Sequence, residues 1–353
     1  MNIDIIVGCQ YGSEGKGLVA GMLAEKNKYN WIVSVNSAQA GHTVKYRNDY
    51  IVTRQLPSGA VKNHEANILI GAGAIVNPKV LIAEIEYLEK MIGISIMDRL
   101  FIHKSVISID DSCIDEERNK LNLLDKIGST CEGVGVANSR RAIRTARLLF
   151  DYFLRDPDLY HNYLNKIKWV DDSLHIVGNV LLEGSQGFGL SIFSKHYPQC
   201  TSRDTTTAAF LSYARLSPRN IQHIYGVYRT FPIRVAGNSG YMFNEISWEN
   251  LAKMSGYDSL QEITTVTKRV RRVGMWDSQL AQEATKVNGV NRPILTFGNY
   301  LDKNFEDHPE LIDRHKEDKA NHQIFKMESD IKIPWYAIST SKNGGWWFNR
   351  EYY

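Results

Sequence analysis

The sequence predicts an α/β fold built on a large, mainly parallel central sheet with helices on both faces. Short, mostly apolar runs, such as residues 3–7 and 31–35, alternate with helix-like stretches. Strands that are buried on both faces read as continuous apolar runs rather than as alternating ones. A glycine-rich turn directly after the first run, GCQYGSEGKG at residues 8–17, adds a phosphate-binding loop like that of P-loop NTPases.

Further strands and helices follow in a regular order. A helix is predicted over residues 15–28, and Pro78 opens the next one, since proline favours the first helical turn. Charged, mostly helical stretches at about 110–163 and 247–283 predict insertions between strands. No composition shift suggests a linker, so we expect residues 1–353 to form a single domain. The remaining strands are predicted at residues 67–76, 179–184, 224–231, 292–297 and 334–339.

Charge and composition exclude several classes of protein. The chain has 42 Lys and Arg against 39 Asp and Glu, a net charge of +3. We therefore expect no nucleic-acid partner, because a non-specific binder would carry a basic stripe. No apolar run approaches the length of a membrane span and no signal peptide is recognisable, so we expect no membrane partner. The 4 cysteines are scattered without a CxxC pair, which favours reduced thiols in a cytoplasmic protein.

The glycine-rich turn has the composition of a phosphate-binding loop. Glycines let backbone N–H groups approach phosphate oxygens, the following helix contributes its positive end, and Lys16 supplies a point charge. The match to the G-x-x-x-x-G-K-[ST] motif is imperfect, since Gly8 is too far from Gly15 and Gly17 replaces the hydroxyl residue. This disfavours an ordinary P-loop kinase or GTPase. From these residues alone, a purely structural glycine turn is an equal alternative.

A second candidate segment, NSAQAGHTV at residues 36–44, follows the second strand. It places Gly41 and His42 at the carboxyl end of a strand, the edge at which doubly wound sheets bind ligands. A single histidine in such a place is more often structural than catalytic. The prediction of a catalytic role therefore depends on the motifs that accompany it.

Several motifs, in order along most of the chain, resemble those of the adenylosuccinate synthetase family. GSEGKG is similar to the family's W-G-D-E-G-K-G, AGHT to N-A-G-H-T and LPSG to L-I-P-S-G. LLEGSQG is similar to F-E-G-A-Q-G, TVTKRVRRVGMWD to T-T-G-R-R-R-R-T-G-W-L-D, and AISTS to I-S-T-G-P. IGSTCEGVGVANSRRAIR and YPQCTSRDTTTA also have counterparts in the family. A shared order of so many motifs is a specific signal.

The resemblance implies a magnesium-dependent ligase that acts as a homodimer. In the family, a nucleoside triphosphate first phosphorylates the 6-oxygen of a purine nucleotide, and the amine of L-aspartate then displaces that phosphate. By similarity, Lys16 holds the γ-phosphate and His42 is the acid that hydrogen-bonds the 6-oxygen. Ser13 stands at the position of the catalytic base. Arg144 matches an arginine that reaches into the phosphate site of the neighbouring subunit.

The resemblance also implies binding roles residue by residue. The phosphate donor is expected to contact Gly12, Ser13, Glu14, Gly15, Lys16, Gly17, Gly41, His42, Thr43, Phe297, Asn299, Ser339 and Ser341. The purine monophosphate is expected to contact Ser13, Gln39, Ser129, Thr130, Arg144, Gln186, Thr201 and Arg269. The carboxylates of L-aspartate are expected to contact Thr267, Arg269 and Arg271, since guanidinium groups pair bidentately with carboxylates. Ser13 and the carbonyl of Gly41 are the expected protein ligands of Mg²⁺.

Ser13 is the most informative departure from the family pattern. The family's aspartate takes the proton from purine N1 and binds magnesium, whereas a serine hydroxyl is uncharged and is not a base near neutral pH. Serine leaves room and no fixed charge beside position 2 of the ring, which suits the 2-amino group of guanine. Glu14, a water molecule or the phosphate of the substrate are the alternatives for taking the N1 proton.

The segment LTFGNYLD is a second departure, since the family has T-K-L-D there. The family's lysine packs on guanine and its aspartate accepts guanine hydrogens, but Phe297 and Asn299 occupy those positions here. An amide can make a paired contact with adenine, and a phenyl ring offers a stacking face. We therefore predict ATP or dATP as the donor rather than GTP. The alternative is that Asn299 is a turn residue and backbone groups read the base.

Both departures are similar to a phage branch of the family, the PurZ-type succino-2-amino-2'-deoxyadenylate synthases. This resemblance implies that the chain joins L-aspartate to carbon 6 of dGMP in the host cytoplasm, for the synthesis of DNA that contains 2-aminoadenine. One alternative is an ordinary adenylosuccinate synthetase that acts on IMP. Another is a catalytically inactive nucleotide-binding protein, against which the retained Lys16, His42 and Gln186 argue.

Overall fold

A ten-stranded sheet runs through the computed structural model, which describes residues 1–264 and 268–352. The strands are β1 (Asn2–Gly8), β2 (Trp31–Ser34), β3 (His42–Tyr46), β4 (Asp49–Thr53), β5 (Asn67–Ile70), β6 (Ile75–Val76), β7 (Leu100–His103), β8 (Ile107–Ser108), β9 (Lys168–Val170), β10 (Asn179–Glu183), β11 (Ile221–Arg229), β12 (Ile233–Arg234), β13 (Glu245–Ile246), β14 (Arg272–Gly274), β15 (Arg292–Thr296), β16 (Ala337–Ser339) and β17 (Trp346–Phe348). The helices are α1 (Lys16–Lys26), α2 (Pro78–Ile92), α3 (Asp111–Asp115), α4 (Leu123–Ile127), α5 (Val134–Ala142), α6 (Leu149–Leu154), α7 (Pro157–Lys166), α8 (Thr207–Ala214), α9 (Trp248–Ser255), α10 (Ser278–Asn288) and α11 (Lys319–Ile331).

The sheet has the strand order β17-β16-β15-β11-β1-β10-β2-β5-β7-β9. Neighbouring strands are parallel throughout except at one edge, where β17 pairs antiparallel with β16. This confirms the prediction of a large, mainly parallel sheet. Because β1 lies between β10 and β11, the loop that follows β1 is flanked by loops on both sides.

Both faces of the sheet are covered, which accounts for the continuous apolar runs. Ile3, Ile5 and Val7 of β1 belong to a cluster that includes side chains of α8, α10 and α11. Ile6 belongs to a different cluster, with α1. A third cluster packs α2 against β5 and β7. Strands that are buried on two sides need apolar residues at successive positions, so the sequence shows no alternation.

Several elements differ from the sequence prediction. The stretch at residues 67–76 forms two short strands, β5 and β6, with a turn between them. In that turn, a Cβ atom at Gly73 would lie 2.4 Å from the Cβ of Tyr213, so the backbone approaches α8 too closely for any side chain. The sequence pattern also does not predict the β3–β4 hairpin or the strands β7, β9 and β17, because each of these is short.

The first stretch predicted as an insertion is mostly helical, whereas the second also contains the strand β14 and irregular backbone. Residues 110–163 contain α3, α4, α5, α6 and most of α7, and residues 247–283 contain α9 and the first part of α10. That the whole chain forms one domain stays a prediction. In the part of the chain that the structure describes, no helix is both long and apolar enough to cross a bilayer.

The parallel strands bring several loops to one edge of the sheet. The segments after β1, β2, β10, β11, β15 and β16 all leave the sheet at its carboxyl edge, where open α/β sheets bind their ligands. These segments contain Ser13, His42, Gln186, Phe297 and Ser341. The fold therefore gathers motifs that lie far apart in the sequence.

Trp335, two residues before β16, has the largest fully buried side chain among the described residues. Its ring meets Tyr228 of β11 edge-on at 5.7 Å, and its Nε1 donates to the carbonyl of Ile324 at 3.0 Å. Trp335→Ala should lower the free energy of unfolding by about 3–5 kcal/mol, because it removes a buried ring and leaves a cavity. Trp347→Ala, at a half-buried position on β17, should cost clearly less in the same urea titration. Equal costs would contradict this packing.

Candidate active site

A cavity of about 510 Å³ opens at the carboxyl edge of the sheet. The loops that follow β1, β2, β10, β15 and β16 contribute to its wall. Since these segments are too far apart to meet through local structure, their convergence supports one shared site. The predicted residues that line the cavity are Gly12, Ser13, Gly15, Lys16, Gly17, Gln39, Gly41, His42, Thr43, Thr130, Gln186, Arg271, Phe297, Ser339 and Ser341.

The loop between β1 and α1 contains several residues in the left-handed region. Gly12, Ser13 and Gly15 have φ angles of 85°, 57° and 89°. Backbone of this kind can turn successive N–H groups toward one side, where they bind an anion. α1 begins at Lys16, so the positive end of the helix faces the same space. The loop therefore has the geometry that phosphate binding requires.

The carboxylate of Glu14 fixes this loop from inside, and it is fully buried. Its Oε1 accepts hydrogen bonds from the N–H groups of Gln10 at 3.1 Å and Gly12 at 2.7 Å. Its Oε2 accepts one from Lys16 Nζ at 2.7 Å. Because both oxygens are engaged and the side chain does not line the cavity, the geometry argues against Glu14 as the acceptor of the N1 proton.

Glycines surround Glu14 because its carboxylate leaves no room for other side chains. A Cβ atom at Gly187 would lie 2.4 Å from Glu14 Oε1, and one at Gly8 would lie 2.5 Å from Oε2. A Cβ atom at Gly17 would lie 2.7 Å from the carbonyl oxygen of Thr43 in β3. Gly17 therefore allows α1 to pack closely on the hairpin, which accounts for a glycine where P-loop proteins have a hydroxyl residue.

His42 begins β3 and is buried at the cavity wall. Its Nδ1 lies 3.7 Å from Glu183 Oε2 and has no hydrogen-bond partner among the described residues. Glu183 is itself held in place, since Oε2 accepts from Ser58 Oγ at 2.7 Å and Oε1 accepts from the N–H of Gly59 at 2.6 Å. A buried ring nitrogen without a partner is costly, so a ligand or water molecule is expected to complete this site.

Gln39, Thr130 and Gln186 form the part of the wall that is predicted to bind the monophosphate. Gln39 Nε2 donates to Thr201 Oγ1 at 3.3 Å, while Gln39 Oε1 is buried without a partner in the described structure. Thr201 thus lies behind Gln39 and does not itself line the cavity. Ser129 is also outside the lining, and its Oγ accepts a backbone N–H at 3.1 Å.

Arg229, at the end of β11, connects three parts of the site and is not predicted from the sequence. Its side chain is fully buried, and its Nη1 donates to the carbonyl oxygen of Ser13 at 3.1 Å. The guanidinium carbon lies 4.0 Å from the ring centroid of Phe297. Nη2 donates to Glu262 Oε1 at 2.5 Å. One side chain thereby contacts the phosphate loop, the ring of Phe297 that is predicted to stack on the base of the phosphate donor, and the segment that leads to Arg271.

Glu262 is the one carboxylate residue among the described residues that line the cavity. Burial alone would raise its pKa, but the charge of Arg229, its hydrogen bonds and the charge of Arg271 outweigh burial and hold the pKa below its usual value. Glu262 is therefore ionised at neutral pH. Burial lowers the pKa of Arg271, while the charge of Glu262 opposes that effect.

Some predicted site residues lie away from the cavity wall. Asn299 is buried behind it, with Nδ2 donating to the hydroxyl of Tyr257 at 3.0 Å. Arg144 lies just beyond α5 with a φ of 63° and is exposed, as is Arg269. Thr267 lies outside the described residues. These placements leave the roles of the four residues as predictions.

Other residues that line the cavity are not predicted from the sequence. Lys45 and Tyr50 lie on the β3–β4 hairpin, and Lys342 follows β16. The hydroxyl of Tyr50 donates to the side chain of Asn343, and Lys45 Nζ donates to its carbonyl at 3.4 Å, so the hairpin contacts the loop after β16. The alternation of polar and apolar residues in T-V-K-Y at positions 43–46 is the signal that could have found this wall, because it places Thr43 and Lys45 on one face of a strand. Further residues of this kind are Tyr11, Leu18, Ala40, Leu190, Val235, Gln261, Ile263, Thr264 and Thr296.

Gly187→Ala should displace the Glu14 carboxylate and, with it, the phosphate loop. Gly187 has an extended φ of −140°, so alanine adds a steric clash without backbone strain. Because about 1 Å of misplacement can cost on the order of 100-fold, we expect turnover and triphosphate affinity to fall by at least about tenfold. Gly93→Ala controls for a general loss of stability: at a φ of 74° alanine strains the backbone at the end of α2, but its Cβ atom meets nothing within 4 Å, so the affinity should stay unchanged. An unchanged ATP titration curve for Gly187→Ala would refute this role of Glu14.

Solved structures of known proteins share the fold. The cyanophage S-2L succinoaminodeoxyadenylate synthetase (PurZ), solved with dGMP and with dATP as an energy donor, is 28% identical, with a TM-score of 0.78 over 98% of this chain and 95% of that one. The fully ligated adenylosuccinate synthetase of Plasmodium falciparum is 22% identical, with a TM-score of 0.81 over 99% and 100% of the two chains. The second likeness concerns the fold alone.

Sequence comparisons agree with the fold. The family model for adenylosuccinate synthetase matches residues 5–167 and 156–306. The adenylosuccinate synthetase of Archaeoglobus fulgidus is 34% identical over 342 residues, which cover 96% of each chain. That of Thermococcus sibiricus is 33% identical over 339 residues, 95% of each chain. The chain therefore belongs to the adenylosuccinate synthetase family, whose members are ligases that use a nucleoside triphosphate.

Proposed function

We propose that this protein joins L-aspartate to carbon 6 of dGMP, with ATP or dATP as phosphate donor. The product would be succino-2-amino-2'-deoxyadenylate, a precursor of 2-aminoadenine for DNA. The observation that carries the proposal is Ser13, which stands in the phosphate loop where the family pattern has its catalytic aspartate. Family membership supplies the ligase chemistry, and the proposal adds the choice of purine and donor.

The environment of Ser13 supports a role in substrate choice. The residue is half-buried and lines the cavity, and Arg229 holds its carbonyl oxygen. Its side chain therefore has a defined place in the wall. A hydroxyl is smaller than a carboxylate and carries no charge, so an exocyclic amine on the purine can approach it closely. This would admit guanine, whose 2-amino group lies next to N1.

The relatives support two different substrates. The cyanophage S-2L protein, 28% identical, was solved with dGMP and dATP, which favours the proposal. The archaeal relatives, 34% and 33% identical, carry the name adenylosuccinate synthetase, which favours the alternative that the substrate is IMP. An inactive nucleotide-binding protein is the third candidate. The cavity nevertheless retains Lys16, His42 and Gln186, and a binding protein would have no physical need for all of them.

The proposed reaction has two steps. The γ-phosphoryl group moves from the donor to the 6-oxygen of the purine, and the amine nitrogen of L-aspartate then bonds to carbon 6 while the phosphate leaves with the electrons of the C–O bond. Lys16 and the N–H groups of the loop would hold the transferred phosphoryl group, because fixed donors stabilise its developing charge. His42 would donate a hydrogen bond to the 6-oxygen. A water molecule or the substrate's phosphate would take the N1 proton.

Adenylosuccinate synthetases use Mg²⁺, and the donor set of this cavity suits the ion. The Ser13 hydroxyl and the Gly41 carbonyl are hard oxygen donors in residues that line the cavity. Mg²⁺ usually keeps several water molecules and binds through few protein oxygens together with substrate phosphates. Ser13 and Gly41 would hold it in that manner, where it would neutralise phosphate charge. No cluster of His, Cys, Asp or Glu that could hold a metal occurs among the described residues.

Phe297 supports an adenine donor. Its ring lines the cavity and is backed by the guanidinium of Arg229, so it offers a neutral stacking surface where the family has a lysine for guanine. Asn299 lies behind this surface, and its partner Tyr257 donates to Glu306 at 2.9 Å. This chain of hydrogen bonds uses one of the two N–H donors of the amide, so a contact of Asn299 with the base would use the second N–H and the carbonyl oxygen.

The proposal includes a homodimer in which Arg144 completes the phosphate site of the partner. Arg144 does not line the cavity of its own chain and is exposed beside Ile143, which is 67% exposed. A role in monophosphate binding therefore requires a second copy. Two-fold dimers are the commonest symmetric oligomers, and each subunit of such a dimer can supply the same residue to its partner.

Phosphate release in the presence of L-aspartate tests the proposed function. The purines dGMP, GMP and IMP are each combined with ATP, dATP and GTP, and the products are identified by mass. We expect turnover with dGMP and with ATP or dATP, and little with GTP. A preference for IMP would favour the alternative of an ordinary adenylosuccinate synthetase. No turnover in any combination would favour the alternative of an inactive nucleotide-binding protein.

Ser13→Asp should lower turnover of dGMP relative to IMP. Aspartate tolerates the left-handed backbone at this position, so the substitution tests chemistry rather than strain. A carboxylate pushed against the 2-amino group would misplace the guanine ring, whereas hypoxanthine lacks that group. The opposing effect is that a carboxylate could accept a hydrogen bond from the amine and restore a base. The ratio of kcat/KM for dGMP over IMP decides, and a ratio that is unchanged or higher would show that Ser13 does not select the purine.

Arg144→Ala should weaken monophosphate binding by roughly 1.5–3 kcal/mol, the scale of a charged hydrogen bond. Mixed with Lys16→Ala protein, it should regain partial activity, because a mixed dimer contains one intact site. Subunit exchange is checked with differently tagged chains. Exchange without recovered activity would rule out a shared site.

A further inference from the structure

The charged residues of the cavity wall are basic, with one exception among the described residues. Lys16, Lys45, Lys342 and Arg271 line the cavity, as expected for phosphates and carboxylates, but Glu262 lies among them. A negative charge in a site for anions weakens their binding, unless a positive group of a substrate lies beside it. Among the substrates of the proposed reaction, L-aspartate carries such a group, its α-ammonium.

The two oxygens of Glu262 are used unequally. Oε1 accepts from Arg229 Nη2 at 2.5 Å and from the hydroxyl of Tyr300 at 3.0 Å. Oε2 accepts, within the described structure, one long hydrogen bond from Arg229 Nη1 at 3.4 Å. An ionised carboxylate offers about four lone-pair sites, so Oε2 keeps acceptor capacity. The side chain is 21% exposed and lines the cavity, so a ligand can reach it.

Glu262 is adjacent to the arginine that is predicted to bind a carboxylate of L-aspartate. The backbone N–H of Arg271 donates to the carbonyl oxygen of Glu262 at 2.9 Å, which ties the two residues together. Both line the same cavity. An α-amino acid presents an ammonium and a carboxylate on one carbon atom, so its recognition requires an acceptor and a guanidinium close together.

We infer that Glu262 Oε2 binds the α-ammonium group of L-aspartate and accepts a proton from its nitrogen when that nitrogen bonds to the purine. The inference rests on the proposed function, because it assumes an amino acid as nucleophile. It adds a residue that would touch the reacting nitrogen, to which neither the sequence motifs nor the family resemblance assigns a role.

The protons and electrons of this step balance as follows. The bound ammonium first loses one proton to solvent, which frees the lone pair of the nitrogen. That lone pair forms the bond to carbon 6, and the C–O bond breaks with its electrons leaving on the phosphate. The nitrogen is then cationic, and its surplus proton passes to Glu262 Oε2 and from there to water. A weakly basic carboxylate suffices, because a cationic nitrogen attached to a purine ring is a strong acid.

Two other roles for Glu262 make different predictions. A magnesium ligand is disfavoured, because Arg229 and Arg271 both lie close to this carboxylate and would repel a dication. A purely structural partner of Arg229 would act equally on every substrate, because Arg229 also contacts Ser13 and Phe297. The experiment must therefore separate the ammonium group from the rest of the amino acid.

Binding of L-aspartate is compared with binding of succinate, which lacks the ammonium, on protein loaded with dGMP and a non-hydrolysable ATP analogue. We expect wild type to bind L-aspartate more tightly. Glu262→Gln should lower the affinity for L-aspartate by about 10- to 100-fold, the range of a charged hydrogen bond. The affinity for succinate should stay unchanged or increase. Glu262→Asp should recover part of the preference. Tyr300→Phe removes a donor to Oε1 but keeps the carboxylate, so it should preserve the ratio of the two affinities.

A kinetic measurement tests proton acceptance. Glu262→Gln should slow ligation by about 100-fold or more while slowing phosphoryl transfer less, as followed by oxygen-isotope scrambling within ATP. Equal loss in both steps, a raised Mg²⁺ requirement, or an unchanged preference for L-aspartate over succinate would each overturn the inference. If Glu262→Gln does not fold, equal affinity of wild type for the two ligands would also overturn it. The binding assay needs no turnover, and repeating it with IMP in place of dGMP makes its outcome independent of the purine choice.

Discussion

The buried carboxylate of Glu14 is the interaction on which the cavity depends. It receives the N–H groups of Gln10 and Gly12 and the ammonium of Lys16, so it sets the curvature of the phosphate loop and the position of its cation. The backbone carbonyl of Glu14 in turn accepts the hydroxyl of Thr296 at 2.7 Å, which links the loop to β15. The side chain of Gln10 bonds in both directions to the backbone of Arg229. The two strands next to β1 on one side of the sheet, β11 and β15, are therefore held in register with the loop.

This bracing limits what the side chain at position 13 can do. Glu14 is occupied and Arg229 fixes the carbonyl of Ser13, so the loop cannot easily shift to accommodate a different purine. Under the proposed function, the size and charge of the side chain at position 13 would then decide which groups of the purine can lie against the wall. The same arginine holds Glu262 at the other end of its guanidinium, so the neutral residue and the remaining carboxylate share one buried cation. The proposed purine choice and the proposed amino-acid binding would in this way be physically connected.

The sequence predicts the fold from local signals, whereas most of the residues of the cavity wall are predicted from motifs that resemble those of the family. Continuous apolar runs predict parallel strands, and the motifs around Lys16 and His42 lie at strand ends, where a parallel sheet must gather them. Arg229 and Glu262 escape prediction for a different reason. Arg229 reads as part of an ordinary buried strand, and its partner is 33 residues away in an irregular segment. Contacts between such positions depend on tertiary structure, which no period or spacing encodes. Asn299 illustrates the converse, since its amide bonds to Tyr257 rather than facing the cavity.

Selection of a 2-amino purine by the wall around Ser13 is the central claim. It is tested most directly by competition between dGMP and dIMP, which differ only in the 2-amino group and share the same deoxyribose. Equimolar amounts are given to wild-type protein with ATP, Mg²⁺ and limiting L-aspartate, and the two succinylated products are quantified by mass. The account predicts that the product derived from dGMP dominates by at least about tenfold, which corresponds to roughly 1.4 kcal/mol of discrimination. Equal amounts, or an excess of the product from dIMP, would contradict it.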